Sequence, residues 1–156
     1  MQLKLRLFDS LIIPVAMYAC EKWTLKVEDE RRISAFETKC LRRIAGITYQ
    51  DRVSNEDLRK QLKRETTILQ KVRLQQLRWL GHIQRMENSR LPKVAFEGRV
   101  HGSRPPGRPR KRWRDNFGDD NLCLLRQADD RALYRKLIQE RVKEMAPSRP
   151  LRTSGT

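Results

Sequence analysis

Cysteine, histidine, aromatic residues and long apolar runs are all scarce in this sequence, and each scarcity argues against a class of protein. There are 3 cysteines and 2 histidines in 156 residues. Cys20, Cys40 and Cys123 are odd in number and far apart, which speaks against a disulfide framework and for a reducing, intracellular compartment, nuclear or cytoplasmic. With only His82 and His101 beside them, no Cys-x-x-Cys or His-x-x-x-His spacing exists to hold zinc, so neither a metal nor another cofactor is expected. The longest apolar run, residues 11–20, is about half the length that crosses a bilayer. Asp9 interrupts the approach to it, Pro14 splits it and no small-residue cleavage site follows, so it reads as a buried helix pair rather than a secretory leader, and no membrane partner is expected.

Positive charge is what the chain has in excess. Lys and Arg number 35 against 19 Asp and Glu, a net charge of +16, and 35% of residues are charged while 38% are hydrophobic. Such a chain can build only a thin core, partly covered by Arg and Lys stems. Its charge points to nucleic acid as the partner.

The apolar spacing is helical throughout, and no stretch alternates as a strand would. Leu3, Leu5, Leu7, Phe8, Leu11 and Ile12 suit a short amphipathic helix that Pro14 kinks or restarts. Ile33, Phe36, Cys40, Leu41 and Ile44 form one stripe of a helix over residues 27–45. Acids in its first turn, Arg42 and Arg43 in its last, and Gly46 beyond it suit the helix dipole and a glycine stop. Ser54 predicts the cap of a short helix to about residue 62, and Thr66 or Thr67 the cap of a longer one to about residue 86. In the longer helix Ile68, Leu69, Val72, Leu77, Trp79, Leu80 and Ile83 make the stripe. Lys71, Arg73, Arg78 and Arg85 give it a basic polar face. Leu91-Pro92 predicts one further turn. Leu133, Leu137, Ile138, Val142 and Met145 predict a last helix, begun by Asp129 and Asp130. The expected fold is all-α, a small irregular helical bundle with an extended basic Arg/Pro/Gly linker: helices over 1–97, the linker over 98–114, a helical segment over 115–146 and a disordered tail over 147–156.

The linker is the stretch around which the rest of the chain is arranged. Residues 99–114 hold seven Arg or Lys and no acid, and Pro105, Pro106 and Pro109 forbid a regular helix through them. The candidate nucleic-acid contacts are Arg99, Arg104, Arg108, Arg110, Lys111, Arg112 and Arg114, with Trp113 as a base-stacking face and Arg78 and Arg85 from the long helix. Gly107-Arg-Pro109 resembles the core of an AT-hook, whose arginine lies in a narrow A·T minor groove, although Pro106 stands where that motif carries arginine. Catalysis is not expected. Gly118-Asp119-Asp120 lacks the flanking apolar strands of a polymerase metal turn, and His82 has no relay partner at helical spacing.

Four blocks in order carry a wider resemblance. They are Tyr18-Ala-Cys-Glu-Lys-Trp23; Asp29-Glu-Arg-Arg-Ile-x-Ala-Phe-Glu-x-Lys-Cys-Leu-Arg-Arg-Ile-x-Gly46; Leu77-Arg-Trp-Leu-Gly-His-Ile-x-Arg-Met86; and Gly107-Arg-Pro-x-Lys-x-Trp113. Their order resembles the region after the polymerase core in LINE-type, non-LTR retrotransposon endonuclease–reverse transcriptases, from about residue 3 to 145. The resemblance implies a thumb-like helical segment and a basic linker that hold DNA, RNA or their hybrid. It also implies a polymerase core as a further partner. The family's Tyr-x-Asp-Asp turn, its partner carboxylates and its endonuclease are absent from this sequence. Ala19 stands where the family has glycine and Tyr134 where it has tryptophan, departures that suit a diverged or decayed copy. The expected function is a nucleic-acid-binding reverse-transcriptase fragment without catalysis. The alternatives are a free-standing hook protein of chromatin, an interaction module and a non-functional remnant.

Overall fold

The computed structural model describes residues 1–48, 50–98, 106–107 and 110–145. Every regular element among the described residues is helical, in eight α-helices joined by 3-10 and π turns. This is the all-α bundle that the periodicities predict.

The N-terminal helix runs through α1 (Gln2–Leu7), a π turn (Phe8–Ile12) and α2 (Ile13–Ala16). Pro14 has no N–H to give the carbonyl four residues back, and the wide turn falls just before it. Asp9, on that turn, pairs with Arg64 at 2.6 Å and Lys71 at 3.6 Å. The bond from Arg64 holds the Asp9 carboxyl below the usual carboxylate range, against the opposing effect of burial. The expected buried helix pair over residues 11–20 is corrected here: Ile13 and Cys20 are buried, but Leu11, Ile12, Val15 and Tyr18 are exposed. Ala19, where the resembling family has glycine, adopts φ 53°, a left-handed conformation that costs an alanine about 1–2 kcal/mol.

α3 (Val27–Ala45) keeps the limits its sequence predicts. Gly46 ends it at φ 71°, and the Ile47 N–H closes on the Arg42 carbonyl at 3.0 Å. Its buried face differs from the expected stripe by one position. Phe36 is exposed, and Glu37, at 1% exposure, takes the inward place. The Glu37 Oε2 accepts from Arg59 of α4 (Asn55–Gln61) at 2.9 Å and from the Ile68 N–H at 3.2 Å. One carboxylate therefore ties α3 to α4 and to the first turn of α5 (Ile68–Gln84). Ser54 caps α4 and Thr67 caps α5, the latter with Gln70 in a reciprocal capping box.

α5 is the axis of the fold, with one apolar cluster along each half. Val72 and Ile68 join Phe8, Ile13, Leu41 and Leu58, while Leu77 and Leu80 join Phe117, Tyr134, Ile138 and Val142. Between the clusters lie polar side chains that reach other elements. Gln76, fully buried, donates to the Trp23 carbonyl at 2.9 Å and the Cys20 carbonyl at 3.3 Å. Arg73 pairs with Glu30 of α3 and donates to the Asn116 carbonyl at 3.2 Å. Gln70 donates to the Val142 and Met145 carbonyls at 3.2 and 3.0 Å, satisfying the end of α8 (Arg131–Glu144). At the other end of α8 the Tyr134 hydroxyl donates to the Leu77 carbonyl at 2.8 Å, so α5 and α8 run antiparallel. A Cβ on Gly81 would stand 2.3 Å from the Tyr134 ring, so the glycine makes room for it. The expected α8 stripe is likewise one position out: Leu133 is exposed and Tyr134 is buried. α6 (Leu91–Glu97) and α7 (Gly118–Cys123) flank the second cluster.

Two outcomes follow from these buried groups. Glu37→Ala leaves the Arg59 guanidinium and the Ile68 N–H without their partner. It should lower stability by about 3 kcal/mol, measured as a shift in the urea unfolding midpoint at constant slope. Burial pushes the Tyr134 hydroxyl up to about 12 from its ordinary value of 10. A group raised in the native state contributes stability that is complete below its unfolded pKa and is lost as pH rises through the native one. The stability difference between the parent and Tyr134→Phe should thus be level below pH 10 and shrink between pH 10 and 12. The variant should also lack the last step of the tyrosinate absorbance titration.

Candidate nucleic-acid interface

The basic linker leaves the described residues after Gly98 and re-enters them at Pro106 and Gly107, then from Arg110 onward. Arg99, Arg104 and Arg108 lie outside the described residues, as do Pro109 of the hook-like motif and the tail 147–156. Gly107 has φ 109°, a conformation closed to residues with a side chain.

From Arg110 the chain is laid against the turn that links α2 to α3. Lys111 Nζ donates to the Leu25 carbonyl at 2.6 Å, and the Trp113 indole N–H donates to the Glu21 carbonyl at 2.7 Å. Asn116 Nδ2 donates to the Trp23 carbonyl at 2.8 Å. The Trp113 ring meets Phe117 edge to face at 4.6 Å and Phe96 at 5.9 Å. Arg112 is extended at φ −89°, ψ 159°, and a 3-10 turn follows from Trp113 to Asn116. Trp113 is half-buried, while Arg110, Lys111, Arg112 and Arg114 are exposed. The Arg114 guanidinium lies 5.3 Å over the Phe96 ring. Trp113, expected as a base-stacking face, is half-buried, with its N–H bonded and its ring against Phe96 and Phe117. Lys111, expected as a phosphate contact, is exposed and gives one hydrogen bond of its ammonium to the Leu25 carbonyl. The 3-10 turn Trp113–Asn116 also begins inside the expected linker, so the linker's last two residues belong to the packed structure.

The basic face expected on α5 divides into used and unused charges. Lys71 pairs with Asp9 and Arg73 with Glu30, while Arg85 donates to the Ala128 carbonyl at 2.6 Å. Arg78 is exposed and makes no hydrogen bond or ion pair with any described residue. Trp79, expected in the core, is half-buried outside both apolar clusters, its ring centroid 5.2 Å from that of His82. Arg78, His82 and Arg85 form one wall of a groove of about 650 Å³ between α5 and α8. Arg131, Arg135 and Gln139 form the facing wall, over a floor of Tyr134 and Ile138. The sequence reading picked Arg78 and Arg85 but not Arg131 or Arg135. Their signal was available, since residues 131, 135 and 139 fall on one face of a helix at i, i+4 and i+8.

Asp119 and Asp120 lie in the first turn of α7, and Asp120 accepts from Arg141 at 3.1 Å. Among the described residues no three His, Cys, Asp or Glu side chains gather as a metal site. No helix among them is long and apolar enough to cross a membrane.

No family model matches the chain, and no solved structure matches it. It is similar to an uncharacterized transposon-derived protein of Caenorhabditis elegans, 27% identical over 120 residues. That alignment covers 74% of this chain and 43% of the nematode protein, so the chain spans less than half the length of the relative it matches. At the level these comparisons reach, this is a chain with a transposon-derived likeness.

Proposed function

We propose that the chain is a nucleic-acid-binding part of a LINE-type retrotransposon reverse transcriptase, acting on DNA, RNA or their hybrid without catalysis of its own. The observation that carries this reading is that Arg110, Arg112 and Arg114 are exposed on a segment that Lys111 and Trp113 bond to the Leu25 and Glu21 carbonyls. Arginine forks at such spacing suit successive backbone phosphates and carry no base specificity. The likeness to a transposon-derived protein and the four ordered sequence blocks support the retroelement assignment. The bonds from Trp113 to the Glu21 carbonyl and from Asn116 to the Trp23 carbonyl tie the end of a repelling, charge-rich segment to the rest of the fold.

Replacing Arg110, Arg112 and Arg114 with alanine removes three phosphate contacts. The slope of log K against log salt should flatten by about 2.1–2.7, at 0.7–0.9 per contact. The triple lysine variant should keep most of the slope, and helix content should stay unchanged in both. With Mg²⁺ or Mn²⁺ neither the parent nor the variants should extend a primer. A triple alanine variant with the parental slope would remove the linker edge from the binding surface.

A further inference from the structure

The facing walls of the groove between α5 and α8 pose a problem that the linker does not answer. Arg78, Arg85, Arg131 and Arg135 line it together with His82, and no acid is among the lining residues. The acids near them in sequence, Glu87, Asp129, Asp130 and Glu140, do not line it. The Asp130 carboxylate is spent on the Ala132 and Leu133 N–H groups at 2.9 and 3.1 Å, capping α8. Like charges on facing helices repel and cost stability unless a counter-charge sits between them. Elsewhere on α5 the fold does supply such partners: Asp9 to Lys71 and Glu30 to Arg73. Here Arg78, Arg131 and Arg135 have none among the described residues.

We infer that this groove is a second nucleic-acid site, taking the phosphate backbone of one strand between the arginines of α5 and those of α8. It extends the nucleic-acid reading above to a different surface, and in that sense rests on it. Arginine matches phosphate oxygens with paired N–H groups and stays charged at any working pH. Helices in contact lie about 8–10 Å apart, a spacing whose groove admits one strand rather than a whole duplex. At about 650 Å³ the groove is within the size range of small-ligand sites, ample for a nucleotide unit. The floor is apolar on one side, Ile138, and aromatic on the other, Tyr134, whose hydroxyl is already bonded to Leu77. Two rows of arginine make phosphate the element recognised, so the site is indifferent to base sequence.

The test uses the full chain and a fluorescent single-stranded oligonucleotide, in five proteins: parent, Arg131→Ala/Arg135→Ala, the linker triple alanine variant, the two combined, and Arg131→Lys/Arg135→Lys. Both groove arginines are exposed, and helix content checks that the fold survives. The groove pair should flatten the salt slope by about 1.4, at 0.7 per contact on a single strand, and by the same amount in the linker-variant background. Arg131→Lys/Arg135→Lys should restore most of it. If the groove pair leaves the slope unchanged in both backgrounds while the linker triple lowers it, the groove inference fails and the nucleic-acid reading stands. If the parent itself binds without salt dependence, that reading fails and the groove site with it. Competition by polyglutamate as strong as by unlabelled oligonucleotide at equal charge would also overturn the inference, making the groove a site for acidic peptide.

Discussion

A glutamine side chain buried without access to water must find its hydrogen bonds inside the protein, and Gln76 has found them at a distance that organises the molecule. Its amide reaches the carbonyls of Cys20 and Trp23, so the turn between α2 and α3 has to lie across the middle of α5. The Trp23 carbonyl then accepts a second bond, from Asn116, which brings the end of the basic linker to the same place. Arg73, one helical turn before Gln76, adds the Asn116 carbonyl and Glu30. Three segments that are remote in sequence meet at one point on one helix. A thin core of two separate apolar clusters would not by itself fix their relation, because apolar contact is non-directional. The polar ties along α5 supply the direction.

That arrangement decides which charges are free. The chain carries far more cations than anions, yet several arginines are consumed by the fold: Arg59 by Glu37, Arg64 by Asp9, Arg73 by Glu30 and Asn116, Arg85 by Ala128. Others are left outward. Arg110, Arg112 and Arg114 are exposed beside the half-buried Trp113, and Arg131 and Arg135 are exposed beside the buried Tyr134 and Ile138. A charge row fixed in this way has already lost much of its conformational freedom before any partner arrives. Net charge sets the attraction, and the packing sets where it is delivered.

Local signals were readable in the sequence and pairings were not. The limits of α3, its acidic first turn and its Gly46 stop could be read because each depends on neighbours within one turn. The same is true of the Ser54 and Thr67 caps. In α3 and in α8 one residue of the expected stripe is exposed and its neighbour is buried, while Leu41, Ile138 and Val142 lie in the core as expected. Hydrophobicity favours Phe36 over Glu37 and Leu133 over Tyr134. The decision instead lies with partners far along the chain: Arg59 and Ile68 for the carboxylate, Gly81 and Leu77 for the phenol. The Arg/Pro/Gly composition marked the linker, but it could not show that Trp113 faces inward, since the carbonyls it meets are about ninety residues earlier. Arg131 and Arg135 share a readable helix face, but that this face meets Arg78 and Arg85 depends on α8 lying antiparallel to α5.

The central claim is that folding, and not charge alone, presents the arginines of residues 110–114. It is tested most directly by loosening that segment without removing a cation. Trp113→Phe/Asn116→Ala keeps an aromatic ring and every Arg and Lys, but deletes the bonds to Glu21 and Trp23. Oligonucleotide affinity should be measured for this variant and the parent over a series of salt concentrations. The salt slope should be unchanged, since the same phosphates can be reached, with binding several-fold weaker at every salt concentration because the segment must be ordered on binding. Equal affinity across the whole series would show that charge suffices and that the fold does not present it.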